Sequence, residues 1–239
     1  EPYYLLSRVY LKQGKQDQAN EMLQIFQQKK DAERAYFDSL PQPTDQESAL
    51  HAAVLTHTDV GSLWYQFRKD AKAISHFLKA LSLDPKNEKA RYLLAQVYTN
   101  RHEAEKAVPL FRELLAMNPN DSRYLLGLGL LLADQKRWSE AQGYLEKVLS
   151  LTPHDTAAQV ALARVLINNG QDFSRALQLM ERVIQAENSA ENYDWLSYAY
   201  YVNGRVQESI EAMRMALTLD PSNRNYQIRY EKLLSKLNQ

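Results

Sequence analysis

The sequence predicts an all-α protein built from a tandem array of antiparallel helix pairs. Glycine accounts for only 7 of 239 residues and proline for 8, a composition that disfavours turn-dense β folds and Gly-rich nucleotide-binding folds. Apolar residues recur with a helical period, and several prolines recur at a fixed interval. Together these observations indicate a helical repeat protein.

The period of the repeat is visible in the prolines. Pro85, Pro119 and Pro153 are equally spaced, and Pro221 lies two further intervals beyond Pro153. Each of them follows an apolar run with helical spacing. Proline is common just past a helix end because it lacks an N–H and clashes with the preceding turn. The position expected near Glu187 has no proline, so one unit ends without it.

Each unit predicts two helices. Apolar residues at i, i+3, i+4 and i+7 recur in both halves, and a polar turn such as NRHEAE separates the halves. Small residues occupy matching positions in the two helices, as in Ala95 with Ala107 and Gly129 with Ala141, and allow a close approach. One pair cannot bury its apolar face alone, so we expect neighbouring pairs to stack into a solenoid.

This pattern resembles the tetratricopeptide repeat, whose unit has about 34 residues and whose motif is W-x2-L-G-x2-Y…A-x3-F…P. In one unit the motif positions are occupied by Arg91, Leu94, Ala95, Tyr98, Ala107, Phe111 and Pro119. Five consecutive units match, and a less regular one lies at the N-terminus. The resemblance implies a right-handed superhelical solenoid of antiparallel helix pairs. The apolar positions of the last segment predict a C-terminal capping helix that keeps such an array soluble.

Four segments are expected along the chain. They are an N-terminal helix pair with an extended second helix (1–40), an irregular junction with the start of the next helix (41–53), five repeat units (54–223) and the capping helix (224–239). The repeat phase is lost over 31–53, so the junction is either a local irregularity in one continuous solenoid or a boundary between two repeat blocks. Thr44 and Glu47 have capping-box spacing and are expected to open the next helix.

The sequence contains no pattern that indicates catalysis, a cofactor or a metal site. The absence of cysteine excludes Cys-ligated metal and a thiol nucleophile, and the five histidines form no H-x3-H or H-E-x-x-H motif. Gly127 and Gly129 lie inside a helical repeat without a third glycine, which favours close helix packing over dinucleotide binding. We therefore expect a protein that is not an enzyme and that has neither cofactor nor metal.

Charge and hydropathy set expectations for partners and compartment. Lys and Arg total 29, as do Asp and Glu, and the two signs are interleaved, so we expect no nucleic-acid partner. No apolar run reaches the ~18 residues of a membrane span, so we expect a soluble protein of the bacterial cytoplasm or periplasm. The chain starts at Glu1 without a signal sequence, and its first unit lacks a cap, so we expect a processed protein or a piece of a longer array.

The resemblance also implies where a partner binds, because the first helix of each tetratricopeptide pair lines a concave groove. Tyr, Arg and Asn combine apolar contact with directed hydrogen bonds, as an extended peptide or a partner helix requires. The groove candidates are Lys89, Tyr92, Gln96, Thr99, Asn100, Arg123, Leu126, Leu130, Asp134, Val160, Arg164, Asn168, Asp194, Tyr198 and Tyr201. By contrast, Tyr193, Trp195 and Tyr200 are expected mainly to pack against the adjacent unit.

The sequence thus favours a non-catalytic protein–protein interaction scaffold that binds a peptide segment or a partner protein in its groove. Two alternatives stay open. The chain could be a structural module that self-associates into a homo-oligomer. It could also be a docking or regulatory segment of a larger enzyme or of a secretion or assembly machine.

Overall fold

A computed structural model of the chain describes residues 2–39 and 46–237. Within these ranges there are thirteen α-helices and no strand, which confirms the all-α prediction. Leu40, at the end of the predicted N-terminal pair, and Thr44, in the predicted junction, lie outside the described residues. In chain order the helices are α1 (Pro2–Lys12), α2 (Gln16–Ser39), α3 (Gln46–Gln66), α4 (Asp70–Leu83), α5 (Glu88–Asn100), α6 (Ala104–Met117), α7 (Ser122–Asp134), α8 (Trp138–Leu151), α9 (Thr156–Asn168), α10 (Phe173–Ala186), α11 (Ala190–Val202), α12 (Val206–Leu219) and α13 (Arg224–Leu237).

The chain divides into two compact units, Glu1–His57 and Thr58–Gln239, and the division falls within α3. In the first unit, α1 packs against α2, with Ser7 and Ala19 buried between them. Helix α2 is 24 residues long, whereas the second helices of the later pairs have 14 residues. An extended second helix is what the breaker-free run in the sequence predicts.

The second unit is a regular stack of helix pairs. From α5 to α12, each first helix has 13 residues and each second helix has 14. Each second helix packs against its own first helix and against the first helix that follows. This alternation is the tetratricopeptide arrangement, so the predicted solenoid of antiparallel pairs is confirmed.

The first helices begin with a repeated N-cap. Asn87, Asp121, Asp155 and Ser189 follow one another at intervals of one repeat, and each accepts a hydrogen bond from a main-chain N–H in the first turn, at 2.8–3.2 Å. These side chains satisfy N–H groups that a helix leaves unpaired at its start. The cap keeps the period even at Ser189, where the preceding unit lacks its closing proline.

The first helices also end with a repeated turn. Arg68, His102, Lys136, Gly170 and Gly204 follow one another at the same interval, and all have left-handed backbone, with φ between 56° and 76°. The next residue in each turn donates its N–H to a carbonyl five residues back, over 2.9–3.0 Å. This is the Schellman motif, which glycine adopts without strain. Three of the five positions nevertheless carry a side chain, so the repeat geometry prevails over local preference there.

Close helix contacts position the stack. Ala95 and Ala107 are fully buried where α5 meets α6. A Cβ atom added to Gly129 would lie 2.9 Å from a methyl carbon of Leu145, so a larger residue there would require Leu145 to shift. A Cβ atom added to Gly127 would lie 2.5 Å from a ring carbon of Phe111. The small residues at these positions therefore have the packing role that the sequence predicts.

Helix α13 closes the C-terminal end. Leu233, Tyr226 and Tyr230 pack against Ile210 and Met213 of α12. This contact confirms the predicted capping helix. Leu234 of the same helix is exposed.

Candidate functional site

Side chains of neighbouring first helices contact one another at four places in the second unit. The four contacts in chain order are Asp59 with Lys89, Tyr92 with Arg123, Arg164 with Trp195, and Asp194 with Arg229. We call the side of the unit that carries Lys89, Tyr92, Arg123, Arg164, Trp195 and Arg229 the first-helix surface. It contains most of the groove candidates that the resemblance implies.

On this surface an arginine of α7 is held over two tyrosine rings. The Arg123 guanidinium carbon lies 5.4 Å from the ring centroid of Tyr92 and 5.3 Å from that of Tyr124. Arg123 Nε and Nη2 also donate to the Asp121 carboxylate at 3.1 and 2.7 Å, and these bonds lower the pKa of Asp121. The Arg123 side chain is still 62% exposed. It is therefore held in place while remaining open to a partner.

Tyr124 supports this arginine from below, although the sequence analysis did not single it out. It is only 3% exposed, and its hydroxyl donates to Glu88 Oε2 at 3.2 Å. Burial raises the pKa of Tyr124 to about 12, and the negative charges of Asp121 and Glu88 act in the same direction. The tyrosine is thus neutral over the physiological pH range, and its buried ring is a fixed apolar surface on which the Arg123 guanidinium lies.

Other candidates near this cluster are occupied by contacts within the chain. Gln96 Nε2 donates to the Tyr92 hydroxyl at 2.9 Å, and Asn100 Nδ2 donates to the Tyr65 hydroxyl at 2.5 Å. Thr99 Oγ1 donates to the main chain of its own helix. These three side chains use hydrogen-bonding groups within the chain, so their main role is to fix the form of the surface around Arg123.

Leu126 and Val160 are packing residues. Both were expected to line the groove, but both are half-buried and pack against the buried core of the stack. Tyr193 and Tyr200 also pack against that core, as the sequence analysis expected.

A small cleft of about 200 Å³ lies between α7, α8 and α9. The structure brings the candidates Leu130, Asp134, Arg164 and Asn168 together around it. Lys136 and Trp138 line it too, although they lie outside the first helices, where the groove candidates are all found. Their position in the turn and at the start of α8, directly after a first helix, is the signal that could have identified them.

A larger cavity of about 480 Å³ lies between α11, α12 and α13. The candidates Asp194, Tyr198 and Tyr201 line it, and Tyr198 and Tyr201 remain 43% and 37% exposed. Trp195 lines it as well, with its ring 6.2 Å from that of Tyr198. Trp195 therefore packs against the core, as expected, and also lines the cavity on the first-helix surface.

Asp194 is not an open groove residue. It is 7% exposed, and its Oδ2 accepts a hydrogen bond from Arg229 Nη1 of α13. Its Oδ1 has no hydrogen-bond partner among the described residues. A buried acceptor without a donor costs on the order of 1–3 kcal/mol. The capping helix covers the carboxylate in this unit, which single-helix periodicity does not reveal.

Two further findings concern the chemistry of the described residues. No group of three or more His, Asp or Glu side chains there is placed to hold a metal ion. Across the same residues, every helix is too short or too polar to cross a membrane.

Comparisons with known proteins agree with this fold. Tetratricopeptide repeat models match residues 3–37, 71–131, 132–194 and 190–223. Cellulose synthase operon protein C of Pseudomonas fluorescens is 28% identical over 233 residues, which cover 92% of this chain and 17% of that protein. DnaJ homolog subfamily C member 3 of Mus musculus is 22% identical over 192 residues, or 74% of this chain and 38% of that protein. The chain thus spans less than two-fifths of these relatives.

Solved structures give the same result. YrrB, described as a TPR protein with an unusual peptide-binding site, superposes with a TM-score of 0.65 at 20% identity and covers 75% of this chain and 92% of its own. PilF of Pseudomonas aeruginosa gives the same TM-score and identity, covering 80% of this chain and 88% of its own. These likenesses show the fold. Because one tetratricopeptide repeat model alone matches more than half of the residues, the chain belongs to the tetratricopeptide repeat family.

Proposed function

We propose that this chain is a non-catalytic scaffold that binds a peptide segment of a partner protein along the first-helix surface. Tetratricopeptide repeat proteins generally mediate protein–protein interactions. The observation that carries the proposal is the set of contacts between neighbouring first helices, which holds arginine and aromatic side chains in place at the surface. Arginine and aromatic residues contribute most strongly to protein interfaces.

Arg123 illustrates how this surface suits a peptide. Its side chain is fixed by two rings and by Asp121, so little side-chain freedom is lost on binding. Nε and Nη2 bond Asp121, which leaves Nη1 for a main-chain carbonyl of the partner. The two clefts farther along the surface offer space for side chains of the same segment.

The surface is suited to binding and not to catalysis. Several of its charged groups are already engaged within the chain, since Lys89 pairs with Asp59, Arg229 pairs with Asp194, and Arg164 lies over the Trp195 ring. A catalytic site requires a nucleophile, a base and a stabilising group that converge on one point. We propose that any catalysis by a longer protein containing this chain takes place in its other segments.

The test is affinity capture from a lysate of the native organism with three baits. The wild type is compared with Arg123→Glu/Tyr198→Ala on the first-helix surface and with the matched control Arg214→Glu/Met215→Ala on exposed positions of α12. We expect one protein to be captured by the wild type and by the control, and to be lost from the first variant. Circular dichroism checks that helicity is unchanged. Equal capture by all three baits would place recognition elsewhere on the chain.

One observation favours self-association as a second candidate. Helix α1 leaves large apolar side chains exposed, namely Tyr4, Leu5, Leu6, Val9 and Leu11. Exposed apolar surface of this extent commonly marks an association site. Light scattering over a range of concentrations should then show a larger species that Leu5→Glu/Val9→Glu abolishes. A monomer at all concentrations would eliminate this candidate.

A further inference from the structure

We propose that the cavity between α11, α12 and α13 binds an acidic peptide segment that carries a large apolar side chain. This inference rests on the proposed function, because the cavity forms the C-terminal end of the first-helix surface. It adds the chemical class of the ligand and gives the capping helix a direct part in recognition.

The apolar half of the ligand follows from the cavity wall. Trp195, Tyr198 and Tyr201 of α11 face Met213 of α12 and Leu233 of α13 around about 480 Å³. That volume is within the range of ligand sites in proteins, about 300–1,000 Å³. Tyr198 and Tyr201 are large side chains that α13 leaves partly uncovered. An apolar side chain inserted here would remove their exposed ring surface from water.

The acidic half follows from the charge of α13. Lys232 and Lys236 lie four residues apart and both line the cavity, and neither pairs with a carboxylate among the described residues. Asp194, the one acidic residue in the wall, is already paired with Arg229. Glu231 is the one acidic residue of α13, and it does not line the cavity. The cavity therefore presents two uncompensated positive charges, which complement an acidic segment.

Asp194 favours a peptide over other acidic amphiphiles. Its Oδ1 is buried without a hydrogen-bond donor, and the residue belongs to the cavity wall. A peptide supplies main-chain N–H donors, whereas an acyl chain supplies none. A single peptide segment can thus meet all three features of the cavity, namely the rings, the lysines and the unpaired acceptor.

The experiment uses two pools of short synthetic peptides with the same apolar positions, Phe or Leu, flanked either by Asp and Glu or by Lys and Arg. The chain is labelled with fluorotryptophan, so that ¹⁹F NMR reports separately on Trp64, Trp138 and Trp195. The Trp195 signal is assigned with Trp195→Phe. We expect the acidic pool to shift the Trp195 signal, and the basic pool to leave it unchanged.

Two double variants test the role of charge. Lys232→Glu/Lys236→Glu should weaken binding of the acidic pool at least tenfold, and raising the salt concentration should weaken binding to the wild type. The control Lys79→Glu/Arg214→Glu reverses two exposed charges on second helices and should bind like the wild type. Circular dichroism verifies that each variant is folded.

The outcomes separate this inference from the proposed function. If peptides bind and move the Trp138 signal while Trp195 is unmoved, the cavity is not their site, but the first-helix surface still binds. If the basic pool binds the cavity as well as the acidic pool, or if the lysine variant binds normally, the inferred ligand class is wrong. If neither pool binds anywhere on the chain, both proposals fail.

Discussion

Replacing His102 by glycine is expected to stabilise the protein. His102 follows α5 in the left-handed region, with φ of 58°, and Glu103 closes the turn by donating its N–H to the Tyr98 carbonyl at 2.9 Å. A side chain in this conformation costs roughly 1–2 kcal/mol, and glycine does not incur that cost. Glycine makes the unfolded chain more flexible, which offsets about 0.5–1 kcal/mol of the gain. The expected net gain is therefore about 0.5–1 kcal/mol.

The same turn provides the inverse substitution. Gly170 occupies the position of His102 two repeats later, with φ of 68°, and an added Cβ would meet no atom within 4 Å. Gly170→Ala therefore introduces backbone strain without a steric clash and should destabilise by about 1 kcal/mol. Urea unfolding followed by circular dichroism measures both changes as shifts in the midpoint at constant slope. An unchanged or lower midpoint for His102→Gly, together with no loss for Gly170→Ala, would refute the reasoning.

Three further predictions test other features of the fold. Ala107→Arg should cost roughly 3 kcal/mol or more, because Ala107 is fully buried at a close helix contact, and an unchanged melting temperature would show that the repeat register is wrong. Arg229→Ala should cost about 1–3 kcal/mol and speed hydrogen exchange in α13, because it removes the hydrogen bond to the buried Asp194 carboxylate. Between about pH 10 and pH 12 the free energy of unfolding should fall more steeply in the wild type than in Tyr124→Phe. The reason is that the phenol loses its proton near pH 10 in the unfolded chain, whereas the pKa of Tyr124 in the folded chain is raised to about 12. Parallel pH profiles for the two proteins would contradict this.

The fold was largely predictable, because one repeat period carries most of its information. The prolines and the small residues Ala95, Ala107 and Gly129 recur with that period, and each is required by a helix end or by a close helix contact. The left-handed turns were not predictable in the same way. Three of the five positions lack glycine, so the residue type does not predict a left-handed backbone there. Main-chain hydrogen bonds across each turn stabilise this conformation instead.

The site was only partly predictable, because a groove position is defined by its neighbours in space. Helical periodicity places Leu126 and Val160 in one column with Tyr92 and Asp194, but it does not reveal that neighbouring helices partly or fully cover every residue of that column. Asp194 was read as open because its partner, Arg229, lies 35 residues away on the capping helix. Trp138 was missed because it belongs to a second helix that reaches a cleft between two first helices.

The most direct test of the central claim is site-specific photo-crosslinking in cells of the native organism. A photoreactive phenylalanine analogue is placed at Lys89 or Asn168 on the side formed by the first helices, and at Lys79 or Arg182 on exposed positions of second helices. If the first-helix surface binds a partner, both first-helix positions should crosslink the same protein and both second-helix positions should crosslink none. Crosslinks formed equally well, or only, from the second helices would contradict the account.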